Sequence, residues 1–225
     1  MIFLTALAFA TQQVGPTLEV PGEVLRCGTD TSSESALCRA VIAQQERRYA
    51  DSADAFEEAA GLASTNSELA SRALVGAGNM WLAADQPERA ATALDKALAL
   101  NQLAGQQQGL ALQDRARAAL ALGDAISAMA FVEAAEAFIA EDPFLWYLKA
   151  AVALRQDDIG KAKGAIARAI ALAPDSPQIL LEAAVIEDAA GNMEGARTYL
   201  EQARDASLDS DAGKRAAALL AQNPE

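Results

Sequence analysis

The chain has 225 residues, 18 basic and 31 acidic side chains and no histidine, which gives a formal net charge of −13. Apolar types make up 52% of it and aromatics 5%, while roughly a quarter is alanine, so its apolar content comes mostly from small side chains. A chain this apolar is not disordered and can bury the core of one or two domains. Its negative balance, with no long Lys/Arg run, excludes binding to nucleic acid by counterion displacement, and the missing histidine removes His-dependent triads, most zinc sites and the usual near-neutral general base.

The first segment, Met1–Ala10 (MIFLTALAFA), is apolar, and no charge precedes Glu19. Ala8-Phe9-Ala10 fits the small-x-small pattern ahead of a secretory cleavage site, which predicts a signal peptide over 1–10 and a mature start at Thr11. The segment is short and lacks a positive residue before the apolar run, so an apolar stub of a cytoplasmic protein is the competing reading. It falls far below the ~20 residues that span a bilayer, and no later segment of that length is free of charge. Residues 11–32 read as irregular. Within and just after them lie the only two cysteines, Cys27 and Cys38, separated by the polar stretch GTDTSSESAL. An even count at close spacing predicts one disulfide in an oxidising compartment, stabilising by roughly 3 kcal/mol in the chain-entropy model. Two unrelated buried thiols are the alternative. Signal pattern and cysteine pair together predict export to a bacterial periplasm.

From Ser33 onward the chain repeats. Ala128, Val132 and Ala135 recur at Ala162, Ile166 and Ala169 and again at Ala196, Leu200 and Ala203, each step being 34 residues (162 − 128, 196 − 162). Earlier copies at Ala90, Leu94 and Ala97, and at Ser52, Phe56 and Ala59, keep the phase with steps of 38 (128 − 90, 90 − 52). A second stripe precedes each of the last four: Leu74, Gly78, Trp81; Leu112, Ala116, Ala119; Trp146, Ala150, Ala153; and Leu180, Ala184, Glu187. Spacings of four and three put each trio on one helix face. Asp85-Gln86-Pro87, Gly123-Asp124, Asp157-Asp158 and Gly191-Asn192 mark turns between the paired helices. Pro143, Pro174 and Pro177 punctuate the connections between pairs.

These residues resemble the tetratricopeptide repeat family, whose unit is 34 residues of helix–turn–helix. Phe144–Pro174 carries the pattern best, at Trp146, Ala150, Ala162, Ile166, Ala169 and Pro174. Ala183–Ala203 departs from it at Glu187, where a large apolar residue is usual, and the resemblance covers Ser71–Leu208 well but Ser33–Ser64 loosely. The predicted fold is an all-α, right-handed solenoid of about five repeats over 33–208, at 33–66, 71–104, 109–142, 143–176 and 177–210, with a capping helix and tail at 211–225. The two four-residue insertions predict one extra helical turn each.

The resemblance implies a concave groove lined by the first helix of each pair and occupied by a peptide or partner helix. Projection by spacing places Arg72, Val75, Asn79, Gln113, Arg117, Leu120, Phe144, Tyr147, Leu154, Arg155, Gln178, Leu181 and Asp188 on that face. Of these, Arg72, Asn79, Gln113, Arg117, Phe144, Tyr147 and Arg155 are the candidate partner-binding residues. Arg117, Phe144, Tyr147 and Arg155 form a candidate patch for an acidic peptide, since Arg and Tyr are enriched at binding hot spots. Packing of Phe144 and Tyr147 between repeats is the competing reading. Some family members clamp a C-terminal carboxylate with Lys and Asn; Asn79 suits that role, but Val75 replaces the cation.

No catalytic constellation emerges. Glu57-Glu58, Asp157-Asp158 and Glu187-Asp188 are adjacent residues, which do not face each other on a helix as an acid/base pair must. Nucleotide-binding and nucleophile-elbow motifs are missing, no calcium-ligand spacing occurs, and no cofactor or metal is expected. The sequence predicts a non-catalytic interaction scaffold of the cell envelope, binding a protein or peptide, with no integral membrane span. A cytoplasmic or membrane-peripheral adaptor within a larger complex is the alternative.

Overall fold

A computed structural model describes residues 27–28, 30–63 and 65–222, so the predicted signal peptide at 1–10, its cleavage at Ala10 and most of the segment 11–32 lie outside the described residues. The described residues are all-helical and contain no strand. They form α1 (Ser33–Gln45), α2 (Tyr49–Leu62), α3 (Ser67–Ala83), α4 (Pro87–Ala99), α5 (Gln106–Ala121), α6 (Ala125–Ile139), α7 (Pro143–Arg155), α8 (Ile159–Leu172), α9 (Pro177–Ala189), α10 (Met193–Ala206) and α11 (Asp211–Gln222).

Helix starts follow their local chemistry. Ser32, Asn66, Asp124, Asp142, Asp158 and Asn192 each accept a hydrogen bond from a backbone N–H of the first turn, and Pro87, Pro143 and Pro177 occupy the first turn, where no backbone donor is missed. The five turns within pairs are alike. Arg47, Asp85, Gly123, Asp157 and Gly191 all adopt positive φ, and the next N–H bonds a carbonyl five residues back, as in Arg48 to Ala43 and Asp158 to Ala153. This is the Schellman closure, which satisfies carbonyls that a helix end leaves open. Asp157 is thus the turn residue and Asp158 the N-cap of α8, which explains their adjacency.

Each helix packs on its chain neighbours, and α3–α5, α5–α7, α7–α9 and α9–α11 also touch; the even-numbered helices make no comparable contacts with one another. In a curved stack the inner layer is crowded and the outer one splayed, so the odd helices form the concave side. Alanine makes this possible. Ala77, Ala90, Ala97, Ala116, Ala128, Ala135, Ala150, Ala162 and Ala169 are fully buried, with Trp81, Leu94, Val132, Leu145, Val152, Ile179 and Ile186 filling the space between. At Gly78 even one methyl is too much: a Cβ there would lie 2.5 Å from Leu94 Cγ. Because no pair buries its own face, the stack is the unit of stability.

The two departures from the 34-residue period have different sources. α3 has 17 residues against 13 in α7 and α9, one full extra turn. α5 has 16 residues, and the remainder of its insertion lies in the longer connection from Leu100 to Gly105. Cys27 and Cys38 are bonded to each other, tying the residues before α1 to that helix across 11 positions.

Candidate protein-binding groove

Repeat arithmetic aligns the concave helices. Val75, Gln113, Tyr147, Leu181 and Arg215 share one position, with steps of 38, 34, 34 and 34, and the next residues, Gly76, Asp114, Leu148, Glu182 and Ala216, share another. Asn79 and Arg117 lie one turn further along α3 and α5 (117 − 79 = 38).

At the first of two polar centres, Asp114 is nearly enclosed. Asn79 Nδ2 donates to its Oδ2 at 2.7 Å and Arg117 Nη1 to its Oδ1 at 2.9 Å, so each carboxylate oxygen has a partner. Burial pushes the Asp114 carboxyl above its ordinary value, and the Arg117 charge and the two hydrogen bonds oppose that shift. Arg117 and Asn79, both expected in the groove, are thereby committed to each other through an acid that spacing did not single out.

The second centre lies between α7, α9 and α11. Phe144 and Tyr147 are half-buried and meet edge to face, with centroids 6.4 Å apart, and Tyr147 also packs on the central apolar cluster. Tyr147 thus packs into the core, while both rings remain partly exposed. Burial raises the Tyr147 phenol above its ordinary value, the Glu182 charge adds to the rise, and Arg117 and Arg215 oppose it. Glu182 is 5% exposed, and its Oε1 is enclosed without a hydrogen-bond partner. Burial lifts its pKa to about 7 against the pull of Arg155 and Arg215.

The remaining candidates are separately placed. Arg72 on α3 and Arg155 on α7 are exposed. Gln113 is 8% exposed, so the expectation that it is displayed is corrected, and Leu120, also projected outward, is 4% exposed. The reason is that α5 is packed by α3, α4, α6 and α7, which leaves little of its circumference open. Spacing finds one face of a helix but does not show how far its neighbours wrap it.

Ion pairs join neighbouring elements: Arg39 with Glu58, Arg89 with Asp54, Arg115 with Asp95, Lys163 with Glu187, Lys149 with Glu136, and Arg168 of α8 with Glu141 in the α6–α7 connection. Glu187, the departure from the repeat pattern, is accounted for by Lys163 and Asn192, each donating to it at 2.8 Å. Glu57, from another adjacent acidic pair, accepts from Trp81 Nε1. Against this, Arg72, Arg155 and Arg215 form no ion pair or side-chain hydrogen bond among the described residues. No described helix is long and apolar enough to cross a membrane, and no described cluster of acidic or cysteine side chains has the grouping to hold a metal.

No family model matches the sequence, and no curated protein matches it. Solved structures do match. PilW, a widely conserved type IV pilus biogenesis factor, superposes with a TM-score of 0.68 at 18% identity, covering 83% of this chain and 83% of PilW. A thermophilic TPR protein of Thermus thermophilus, TTC0263, gives 0.67 at 19% identity over 84% of this chain and 100% of its own. YrrB, a TPR protein with an unusual peptide-binding site, gives 0.60 at 16% identity, covering 84% of this chain and 94% of YrrB. At these identities the likeness concerns architecture: the chain has the tetratricopeptide-repeat fold.

Proposed function

We propose that the chain is a non-catalytic protein-interaction scaffold that holds an acidic peptide segment of a partner along the odd-numbered helices. The observation that carries this reading is the distribution of cations. On a protein of net charge −13, eight arginines are engaged in ion pairs, four of them between elements and four within a local stretch, whereas Arg72 and Arg155, on the concave helices α3 and α7, are exposed and unpaired among the described residues, as is Arg47 in the α1–α2 turn. The half-buried Phe144–Tyr147 pair, at the start of the helix that carries Arg155, supplies an apolar anchor of the type that dominates binding energy. Likeness to structures such as PilW and YrrB supports scaffold over enzyme and, together with the Cys27–Cys38 bond, supports a place in the bacterial envelope after export.

A display screen of short random peptides against the purified chain, counter-selected with Arg155→Glu, tests the groove. Enrichment of acidic peptides that no longer bind the variant supports the reading; enrichment only of peptides indifferent to it overturns it. Intact-mass measurement of the protein from its native host tests export. Loss of the first ten or so residues with a disulfide mass supports it, and a retained Met1 with two free thiols refutes it.

A further inference from the structure

Glu182 is a carboxylate without a partner, buried where the repeat elsewhere places Leu148 or the doubly bonded Asp114. No hydrogen bond reaches either of its oxygens among the described residues. Burying a charge in this way is costly unless the group is paired or takes up a proton. Two guanidinium groups stand within electrostatic reach, Arg155 from α7 and Arg215 from α11, and neither is engaged by another acid among the described residues. Tyr147 faces it from α7 as well. The other helices packed on α9 direct their charges elsewhere: Lys163 of α8 pairs with Glu187, and Arg197 of α10 pairs with Glu201.

A ligand cation would be repelled by Arg155 and Arg215. An anion has the opposite experience, provided that Glu182 is protonated. Resting on the scaffold reading above, we propose that Glu182, Arg155 and Arg215 form a pocket for the carboxylate of an Asp or Glu side chain on the bound peptide. Arg155 and Arg215 donate to the ligand carboxylate from two sides, and the protonated Glu182 donates its O–H to the same group. The balance is simple: above the carboxyl's folded-state pKa, binding takes one proton from solvent onto Glu182, and release returns it. Below that pKa the proton is already present. The pocket thus extends the groove onto α11, a helix that otherwise only closes the stack.

The probe is a fluorescent oligoglutamate peptide amidated at its C-terminus, so that only side-chain carboxylates are offered, with an oligolysine peptide as its counterpart. Anisotropy titrations use the full chain at fixed ionic strength near pH 6 and near pH 8.5. Oligoglutamate is expected to bind near pH 6 and to weaken at least about tenfold near pH 8.5, the loss of one charge-assisted hydrogen bond. Arg215→Ala should weaken it about tenfold near pH 6. Glu182→Gln, which keeps a donor, should flatten the pH dependence, and Glu182→Ala should bind more weakly than Gln. Binding that is indifferent to pH or to Arg215, tighter binding by both Glu182 variants, or preference for oligolysine each overturns the pocket. If peptides from the display screen still depend on Arg155 in that case, the groove reading stands and only the pocket falls.

Discussion

Asp114 and Glu182 occupy the same place in the repeat, two periods apart (182 − 114 = 68), and have opposite fates. Asp114 on α5 is enclosed by Asn79 and Arg117, each at hydrogen-bond distance, and is part of the scaffold. Glu182 on α9 has an enclosed oxygen with no partner and two arginines that approach without closing on it. Leu148, between them in the period, shows that the position works with a plain apolar side chain. A buried acid is therefore not required by the architecture. Where one is fully paired it fixes the packing, and where one is left open it is free to respond to solvent protons and to a ligand.

The largest expected effect lies at the paired site. Arg117→Ala leaves Asp114 enclosed without its counter-charge and should cost roughly 3 to 4 kcal/mol near neutral pH, read from urea unfolding. A cost under about 1 kcal/mol would place Asp114 in the same class as Glu182. The next effect belongs to the open site and has a definite sign. The Glu182 carboxyl titrates at about 7 when folded and near 4.5 in the reference state, so between these values the native chain holds a proton that the unfolded chain releases. Stability should fall as pH rises through that window, by about 2 to 3 kcal/mol between pH 5 and pH 8, and Glu182→Gln should remove that slope. Parallel wild-type and variant profiles would show that the acid has found a partner after all. Asp30, which accepts from Ser32 and Ser35, and the capping aspartates Asp124 and Asp158 are held below their ordinary value by hydrogen bonds, with side-chain donors first for Asp30 and Asp124 and a backbone N–H first for Asp158. Their contribution is lost only in strong acid, clear of the Glu182 window. The smallest effect is a control: Asn66→Ala, which removes the N-cap of α3, should cost about 1 kcal/mol irrespective of pH.

The period of 34 and 38 residues reveals the helical architecture because small residues must recur wherever helices touch, and Ala116, Ala150 and Ala162 are buried where that logic puts them. The cysteine pair is equally readable, since an even count of cysteines at close spacing points to one disulfide. The polar centres are not. Helix-face projection passes over Asp114 and Glu182 because both align with a core position, Leu148, where an acid is not expected. Their signal is present in the same arithmetic: two carboxylates separated by two whole periods. Gln113 is misplaced for a related reason, because its burial depends on how closely α3 and α7 flank α5 and not on its own spacing.

The two ends of the stack are held differently. At one end a covalent bond fastens the chain to α1, while at the other α11 is seated through small residues, Ala212, Gly213 and Ala216, with the backbone of Ser207 so near Gly213 that an added Cβ would lie 1.8 Å from its oxygen. In a linear array the ends peel first, and α11, packed on α9 and α10, is such an end. Arg215 is carried on that end helix. A peptide that grips Arg215 would bind the closed end and not the peeled one, and so would press the last helix onto α9. Occupancy would then be visible far from any new contact, as slowed amide exchange along the whole length of α11.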